Sequence, residues 1–276
     1  MPEPVHRRTR APVNLPEPLP PEFVEPLARA AARLGLFARQ ILWYPDVSST
    51  NDLAATLAES GAPEGCVVSA NAQSAGRGRQ GRSWASPAGA GLYVSTILKP
   101  AQHALSLLTI AAGVAVADGI HAATGLVPDL KWPNDVFISG RKAAGVLAEA
   151  ASSGAGTYVV LGFGINVLPA AYPPEVAPRA TNLEREVGRA VDRGLLLAEC
   201  LCSLAARYQD LESGRIESVV NAWRSHAAAT LGRRVRWHAA GGVLEGAADT
   251  IDENGALVVR TSTGLARITA GEVQWV

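Results

Sequence analysis

Cysteine, methionine, lysine and histidine are all scarce in this 276-residue chain. Three cysteines, Cys66, Cys200 and Cys202, cannot build a disulfide framework. Their odd count fits a reducing compartment, so a cytoplasmic location is expected. The five histidines, His6, His103, His121, His226 and His238, are scattered, and no Cys/His pair has metal-ligand spacing. Neither a Gly-x-x-x-x-Gly-Lys-Ser/Thr phosphate loop nor a Gly-x-Ser-x-Gly nucleophile elbow is present, which excludes two large enzyme classes. Net charge is also missing, since 25 Lys+Arg balance 25 Asp+Glu. Nothing therefore draws the chain generally to nucleic acid or to an anionic membrane. The longest apolar run, near Leu107 to Ala117, contains Thr109, stops at Asp118 and is too short to span a bilayer.

What remains is a globular balance, 48% hydrophobic and 18% charged, on a length of about two domains. Eight of the 18 prolines fall between Met1 and Pro26, without the apolar stretch of a secretion signal. Residues 1–22 are thus expected to form a flexible tail. From 23 to 228 strands and helices mix. Val24, Leu27, Ala28, Ala31 and Leu34 recur at helical spacing, predicting a helix over Phe23 to Gly35. Strands are expected at Cys66–Ala70, Leu92–Leu98 and Tyr158–Val167, and a long Ala-rich buried helix over His103 to Thr124. Ser139-Gly140-Arg141 has the chemistry of a hairpin turn. Two amphipathic helices follow, Leu195–Leu211 and Ile216–His226. Cys200 and Cys202, two residues apart on the first, are expected to face different ways as core or boundary residues. Residues 229–276 hold five short strands between Gly- or Asn-bearing turns, the pattern of a small barrel. The chain is therefore expected to be α+β, with a mixed sheet and a second, β-rich domain.

Gly76-Arg77-Gly78-Arg79-Gln80-Gly81-Arg82 satisfies the dinucleotide pattern G-x-G-x-x-G and follows a strand. However, Ser83-Trp84-Ala85-Ser86-Pro87 opens no helix to receive a pyrophosphate, and Ile97 to Pro100 supplies no acid for a ribose. What is left is three arginines on a glycine backbone, able to clamp phosphate or carboxylate oxygens. Three like charges within six residues repel, so the loop is expected to be mobile until an anion arrives; it could also be a plain solvated loop. Trp84, two residues on, should have something to cover.

A second cluster is Lys131-Trp132-Pro133-Asn134-Asp135, followed by Arg141-Lys142. Of the 25 basic side chains three are lysine, Lys99, Lys131 and Lys142, and the other 22 are arginine. Lysine is a compact point charge suited to a single carboxylate or phosphate oxygen. Asp135 could hold Mg2+, which takes oxygen ligands from one or two carboxylates; the same residues also make an ordinary Pro-Asn-Asp turn. Ser49-Thr50-Asn51 offers small donors and acceptors to a polar ring, yet Ser49 with Asp52 equally fits a helix cap. Gln73 carries the same ambiguity.

In series, Ser49-Thr50-Asn51, Gln73, the Gly-Arg-Gly-Arg-Gln-Gly-Arg-x-Trp run, Lys-Trp-Pro-Asn-Asp, Arg141-Lys142-x-x-Gly145 and Gly162-x-Gly164-Ile165-Asn166 resemble the biotin protein ligases across about residues 40 to 276. The resemblance implies a class II synthetase-like, biotin/lipoate-ligase catalytic domain over 23–228 and an SH3-like β-barrel over 229–276. It implies ATP-dependent biotinylation of one lysine on a biotin carboxyl carrier protein, through biotinyl-5′-AMP, with Mg2+. Lys142, Arg77 and Arg79 would be catalytic. Ser49, Thr50, Asn51, Gln73, Gly76, Arg77, Lys142 and Gly145 would bind biotin. Arg79, Arg82, Trp84, Lys131, Asn134, Asp135 and Asn166 would line the ATP and adenylate side, with Asp135 as the metal ligand. Many relatives carry an N-terminal winged-helix domain. About 40 residues precede the Ser-Thr-Asn site here, so ligase activity is expected without binding to a specific DNA sequence. A homodimer is an arrangement the family permits. The nearest rival is a lipoate or octanoate ligase or transferase of the same fold, which lacks this Gly-Arg-Gly loop beside Lys-Trp-Pro-Asn-Asp. A nucleic-acid-binding module is a rival of another class, opposed by the zero net charge.

Overall fold

The computed structural model describes residues 15–153, 156–170, 172–239 and 242–276. A seven-stranded mixed sheet organises the first part of the chain, in the order β1-β2-β3-β7-β6-β5-β4. The strands are β1 (Gln40–Tyr44), β2 (Cys66–Ala70), β3 (Gly91–Leu98), β4 (Asp129–Lys131), β5 (Asp135–Ile138), β6 (Arg141–Ser153) and β7 (Gly156–Asn166). β1 and β2 are parallel, joined through helix α2 (Thr50–Glu59), and every other neighbouring pair is antiparallel.

β3 is buried at all eight positions because helices cover both faces. Successive side chains of a strand point to opposite faces. Leu92, Val94 and Leu98 belong to the main core, with helix α3 (Leu108–Thr124) and helix α5 (Arg193–Glu212). Ile97 joins the smaller core beneath α2, with Ala54, Ala58 and Val68. Ser95 has the same parity as Ile97, so a hydroxyl stands beneath the first turn of α2.

Helix α1 (Pro21–Ala30) starts within the expected tail and ends short of Gly35. Proline suits a helix start because its missing N–H has no intrahelical partner there. Phe23, Leu27 and Ala30 are buried, but Val24 is exposed. Glu17 N–H donates to Trp43 O at 2.9 Å, so residues around 17 run beside the edge strand β1. Residues 1–14, which hold the rest of the expected tail, lie outside the described residues. The long helix expected from His103 is divided: Gln102–Leu107 winds as a 3-10 helix before α3. The stretch Gln102–Thr124, with mean hydropathy 1.6, is long and apolar enough to cross a membrane, but 72% of its apolar window is buried inside the fold. It is a core helix, enclosed by the sheet, α5 and helix α6 (Ile216–His226). A short helix α4 (Leu183–Val187) completes the set. Cys200 and Cys202 are both buried, and Cys202 Sγ points at Ala30 O of α1.

The C-terminal sheet holds β8 (Arg234–Ala239), β9 (Gly242–Ile251), β10 (Leu257–Thr261), β11 (Gly264–Ile268) and β12 (Gln274–Trp275), in the order β11-β10-β9-β8-β12 and antiparallel throughout. Val235, Trp237, Ile251, Leu257 and Val259 pack into one continuous core with the first domain. Trp132 Nε1 donates to Gly255 O at 2.8 Å, and Thr230 Oγ1 to Leu130 O at 2.7 Å. The architecture is thus α+β with a small β domain, as the sequence predicts.

Helices α3 and α5 cross closely at Gly119. A Cβ at Gly119 would lie 2.4 Å from Cys200 Sγ and 2.7 Å from the Cys200 backbone. Backbone cannot give way cheaply, so Gly119→Ala should destabilise the protein by about 1–3 kcal/mol, the usual cost of overpacking. Urea unfolding measures this; an unchanged midpoint would show that the crossing is looser than described.

Candidate functional site

Ser49 is the N-cap of α2, its Oγ accepting from Asp52 N–H at 3.4 Å. The capping reading is therefore right for Ser49, and it leaves the next two side chains turned to the sheet. Ser49, Thr50 and Asn51 are all buried. Gln73 Oε1 accepts from Thr50 N–H at 2.8 Å and from Thr50 Oγ1 at 3.1 Å, while Gln73 Nε2 donates to Ser86 Oγ at 2.8 Å. Ser95 Oγ lies 2.8 Å from Thr50 Oγ1 and 2.6 Å from Asn51 Oδ1. Donors and acceptors alternate around a small polar recess, which is what a flat ring with both N–H and C=O groups requires.

Beside this recess three glycines leave part of the sheet bare. Gly145 of β6 and Gly164 of β7 are directly paired, and Gly162 pairs with Leu147. A Cβ at Gly162 would lie 2.0 Å from Asn51 Oδ1, and one at Gly164 would lie 2.4 Å from Trp84 Nε1. A Cβ at Gly145 would come within 3.3 Å of both the Trp84 ring and Lys142 Nζ. The indole of Trp84 therefore rests on bare backbone, as a close approach to glycine permits. Lys142 Nζ lies 5.3 Å from the centre of that ring, in cation–π range. Among the described residues no acceptor reaches the buried Trp84 Nε1. An unpartnered buried donor is costly, and a ligand acceptor would relieve it.

The arginine loop closes over this floor. Gln80 (φ +56°) and Gly81 (φ +73°) make its tip, and Arg77 and Ser83 bridge its stem. Among the described residues no helix follows it, so the dinucleotide reading fails on structure as well. The expected repulsion is offset by acids from three separate elements. Arg77 grips both carboxylate oxygens of Glu149, at 2.8 and 2.7 Å, and its Nη2 lies 2.7 Å from Asp52 Oδ1. Arg82 pairs with both oxygens of Glu272, at 2.5 and 2.6 Å. Arg79 donates to Asn134 Oδ1 and to Gly271 O, each at 3.3 Å. Burial would push the Glu272 carboxyl up, but the Arg82 hydrogen bonds and the charges of Arg82, Lys131 and Arg79 hold it below the usual glutamate range.

Lys142 Nζ lies 2.5 Å from Asp135 Oδ1. A bulge between Val136 and Phe137 shifts the β5–β6 register and sets Asp135 opposite Gly145. Asn134 Nδ2 donates to Val146 O at 2.8 Å. Twelve of the expected residues line one cleft: Ser49, Thr50, Asn51, Gln73, Arg77, Arg79, Arg82, Trp84, Asn134, Asp135, Lys142 and Gly145. The cavity left among them is about 110 Å³. A drug-sized ligand needs about 300 Å³ or more, so the cleft as it stands is small for one.

Three expected residues are placed elsewhere. Gly76 packs under the loop, where a Cβ would meet Trp84 O at 2.5 Å. Lys131 turns to the domain seam, its Nζ 4.9 Å from the Trp275 ring centre and 5.7 Å from that of Phe137, and burial lowers its pKa. Asn166 is buried at the end of β7, donating to Thr181 O at 3.0 Å. Sequence reasoning also missed Glu149 and Glu272, which contact the loop from distant parts of the chain. For a metal, the cleft offers Asp135 and Glu272. Glu272 is engaged on both oxygens by Arg82, which leaves Asp135 as the acid that fits an ion held chiefly by phosphates. Among the described residues no trio of His, Cys, Asp or Glu side chains forms a metal site.

The chain is similar to proteins already known. Residues 43–166 match the biotin/lipoate A/B protein ligase family, and residues 230–275 match the biotin protein ligase C terminal domain. A biotin--[acetyl-CoA-carboxylase] ligase of Mycobacterium tuberculosis is 37% identical over 244 residues, covering 85% of this chain and 88% of that protein. The bifunctional ligase/repressor BirA of Bacillus subtilis is 34% identical over 257 residues, covering 90% and 79%. The structure of a biotin protein ligase from Aquifex aeolicus in complex with biotin and ATP superposes with a TM-score of 0.76 at 29% identity, covering 86% of this chain and 99% of that one.

The lowered pKa of Glu272 has a testable sign. A depressed carboxylate contributes stability above its unfolded value, about pH 4.3, and loses it as pH falls through the folded value. Glu272→Gln should therefore unfold at lower temperature than the wild type at neutral pH, with the difference closing below about pH 4. A pH-independent difference would show that charge is not what Glu272 contributes.

Proposed function

Since this chain belongs to the biotin protein ligases and is a biotin ligase enzyme, we propose that it works in two half-reactions, first joining biotin to AMP and then passing the biotinyl group to a lysine of a carboxyl carrier protein. In the first, a biotin carboxylate oxygen bonds to the α-phosphorus of ATP and the bond to the bridging oxygen breaks, releasing pyrophosphate. In the second, the neutral acceptor amine attacks the biotinyl carbonyl. AMP leaves with the bonding electron pair, and the nitrogen loses a proton to give the amide.

The observation that carries this reading is the meeting of two unlike surfaces across the glycine floor. On one side lies the polar recess of Thr50, Asn51 and Gln73, which holds the ureido ring by hydrogen bonds. On the other stand Lys142 and the loop arginines. Charge builds on the phosphate oxygens as the carboxylate attacks, and fixed cations there lower the barrier. Lys142 exchanges Asp135 for the biotin carboxylate and α-phosphate. Arg77 and Arg79 follow the adenylate, and Arg82 the nucleotide. Trp84 covers the mixed anhydride and gives its free indole N–H to the ligand, while the closed loop excludes water. Asp135 would hold Mg2+, which would supply neutralisation of phosphate charge there. The zero net charge and the pairing of Arg77 and Arg82 with Asp52, Glu149 and Glu272 support a ligase without operator binding.

Biotin-dependent pyrophosphate release from ATP, with lipoate as control, tests the reading. A burst with biotin alone, becoming turnover with an apo carrier domain, is expected; release driven by lipoate instead would sink it. Lys142→Ala should slow adenylate formation about a hundredfold or more, the usual cost of removing one charge-stabilising group, while leaving the fold intact. An adenylation rate equal to the wild type would remove Lys142 from the reaction. Tight biotin-dependent retardation of one DNA sequence in a gel would overturn the absence of repression.

A further inference from the structure

Glu149 has no place in the motifs of the sequence, yet it touches two parts of the site at once. It lies four residues after Gly145 on β6, and alternation puts Gly145, Leu147 and Glu149 on the cleft face. Its carboxylate receives both terminal nitrogens of Arg77, at 2.8 and 2.7 Å. The oxygen bound to Arg77 Nη2 also accepts from Asn51 Nδ2 at 2.8 Å. A carboxylate can only accept, so this contact fixes which end of the Asn51 amide is nitrogen. The other end, Oδ1, then faces the Ser95 hydroxyl at 2.6 Å and the bare backbone of Gly162.

We propose that Glu149 is a positioning residue that ties ring recognition to loop closure, holding the Asn51 amide in one orientation while docking Arg77 on the same carboxylate. This rests on the ligase reading above. Asp52 shares Arg77 but no hydrogen bond to Asn51, so the two acids are separable. With Glu149 in place, a loop that opens releases Arg77 from the carboxylate that orients Asn51. Removing that carboxylate frees the amide to turn and uncouples the two events.

The test uses Glu149→Gln, an isosteric change at a partly exposed strand position, with Asp52→Asn, Arg77→Ala and the Glu149→Gln/Arg77→Ala double variant, each checked for its melting temperature. Steady-state adenylate formation is measured against biotin and against ATP separately. Glu149→Gln should raise the KM for biotin about tenfold, what losing one hydrogen bond to a charged group costs, and leave the KM for ATP within about twofold. The double variant should be little worse than Arg77→Ala alone, because the two side chains act as one unit. Asp52→Asn should leave the biotin KM nearly unchanged. A biotin KM unmoved in Glu149→Gln, equal shifts in both KM values, or fully additive effects would overturn the proposal. Biotin-dependent turnover by the wild type is the control: its absence sinks the ligase reading, and its presence with an unmoved Glu149→Gln sinks only the role of Glu149.

Discussion

Three glycines in the middle of the sheet, Gly145, Gly162 and Gly164, leave a patch of β6 and β7 without side chains, and the site is assembled on that patch. Cβ atoms at Gly162 and Gly164 would sit 2.0 and 2.4 Å from Asn51 and Trp84, far inside contact distance. Filling the patch would therefore push away both the Asn51 amide and the Trp84 indole. Its opposite face shows why the patch can exist. Val146, Phe163 and Ile165 point into a core built with α3, so the two strands are held from behind. Burial on one face stabilises strands that have given up packing on the other.

The loop that covers the floor is held lightly. Arg77 and Arg82 are paired with Asp52, Glu149 and Glu272, side chains that are partly open to water, and Arg79 donates to Asn134 and Gly271. Such pairs contribute about 0–1 kcal/mol each, more where the fork is bidentate. An anion can replace Glu272 without leaving the Arg82 guanidinium unpaired. The small cavity beneath the closed loop and the weak pairs above it belong together: the loop closes over little and opens at little cost. The buried Trp84 N–H has no acceptor among the described residues, so the closed loop is not fully satisfied.

Much of this was legible in the sequence because the chemistry lies in contiguous runs. Ser49-Thr50-Asn51, Gln73, the arginine loop and the Asn134-Asp135 turn all reach the cleft. Gly162 and Gly164, which fall inside the expected strand Tyr158–Val167, mark the close approach itself. What was hidden is what distance along the chain hides. Glu149 and Glu272 sit 72 and 190 residues from their arginines, and no spacing rule joins them. Lys131 and Asn166 stand outside the cleft lining for a related reason. Each belongs to a recognisable run, but strand ends turn the first to the seam with Trp275 and the second to Thr181. Among the helices, apolar periodicity located α1 and α3 but not their ends, since 3-10 winding over Gln102–Leu107 keeps the same apolar spacing at a tighter pitch. The order of the seven strands depends on packing that no local signal encodes.

The C-terminal sheet is the part whose role least follows from its sequence, and its contacts supply one. Were it only tethered, its surface facing the first domain would be polar. Instead Trp237, Ile251 and Leu257 share the main core, Trp132 donates to Gly255, and Lys131 lies against Trp275. A docking this apolar fixes where Gly271 and Glu272 stand. Those two residues hold Arg79 and Arg82, the loop arginines that Glu149 does not reach. The loop is thus stretched between two anchors, Glu149 on the sheet at its Arg77 end and the small domain at its Arg82 end. Neither anchor alone sets the height of Trp84 above the glycines. The geometry of the cleft is therefore a property of both domains together, and packing in the seam, well away from any ligand, is part of what determines how tightly the site closes.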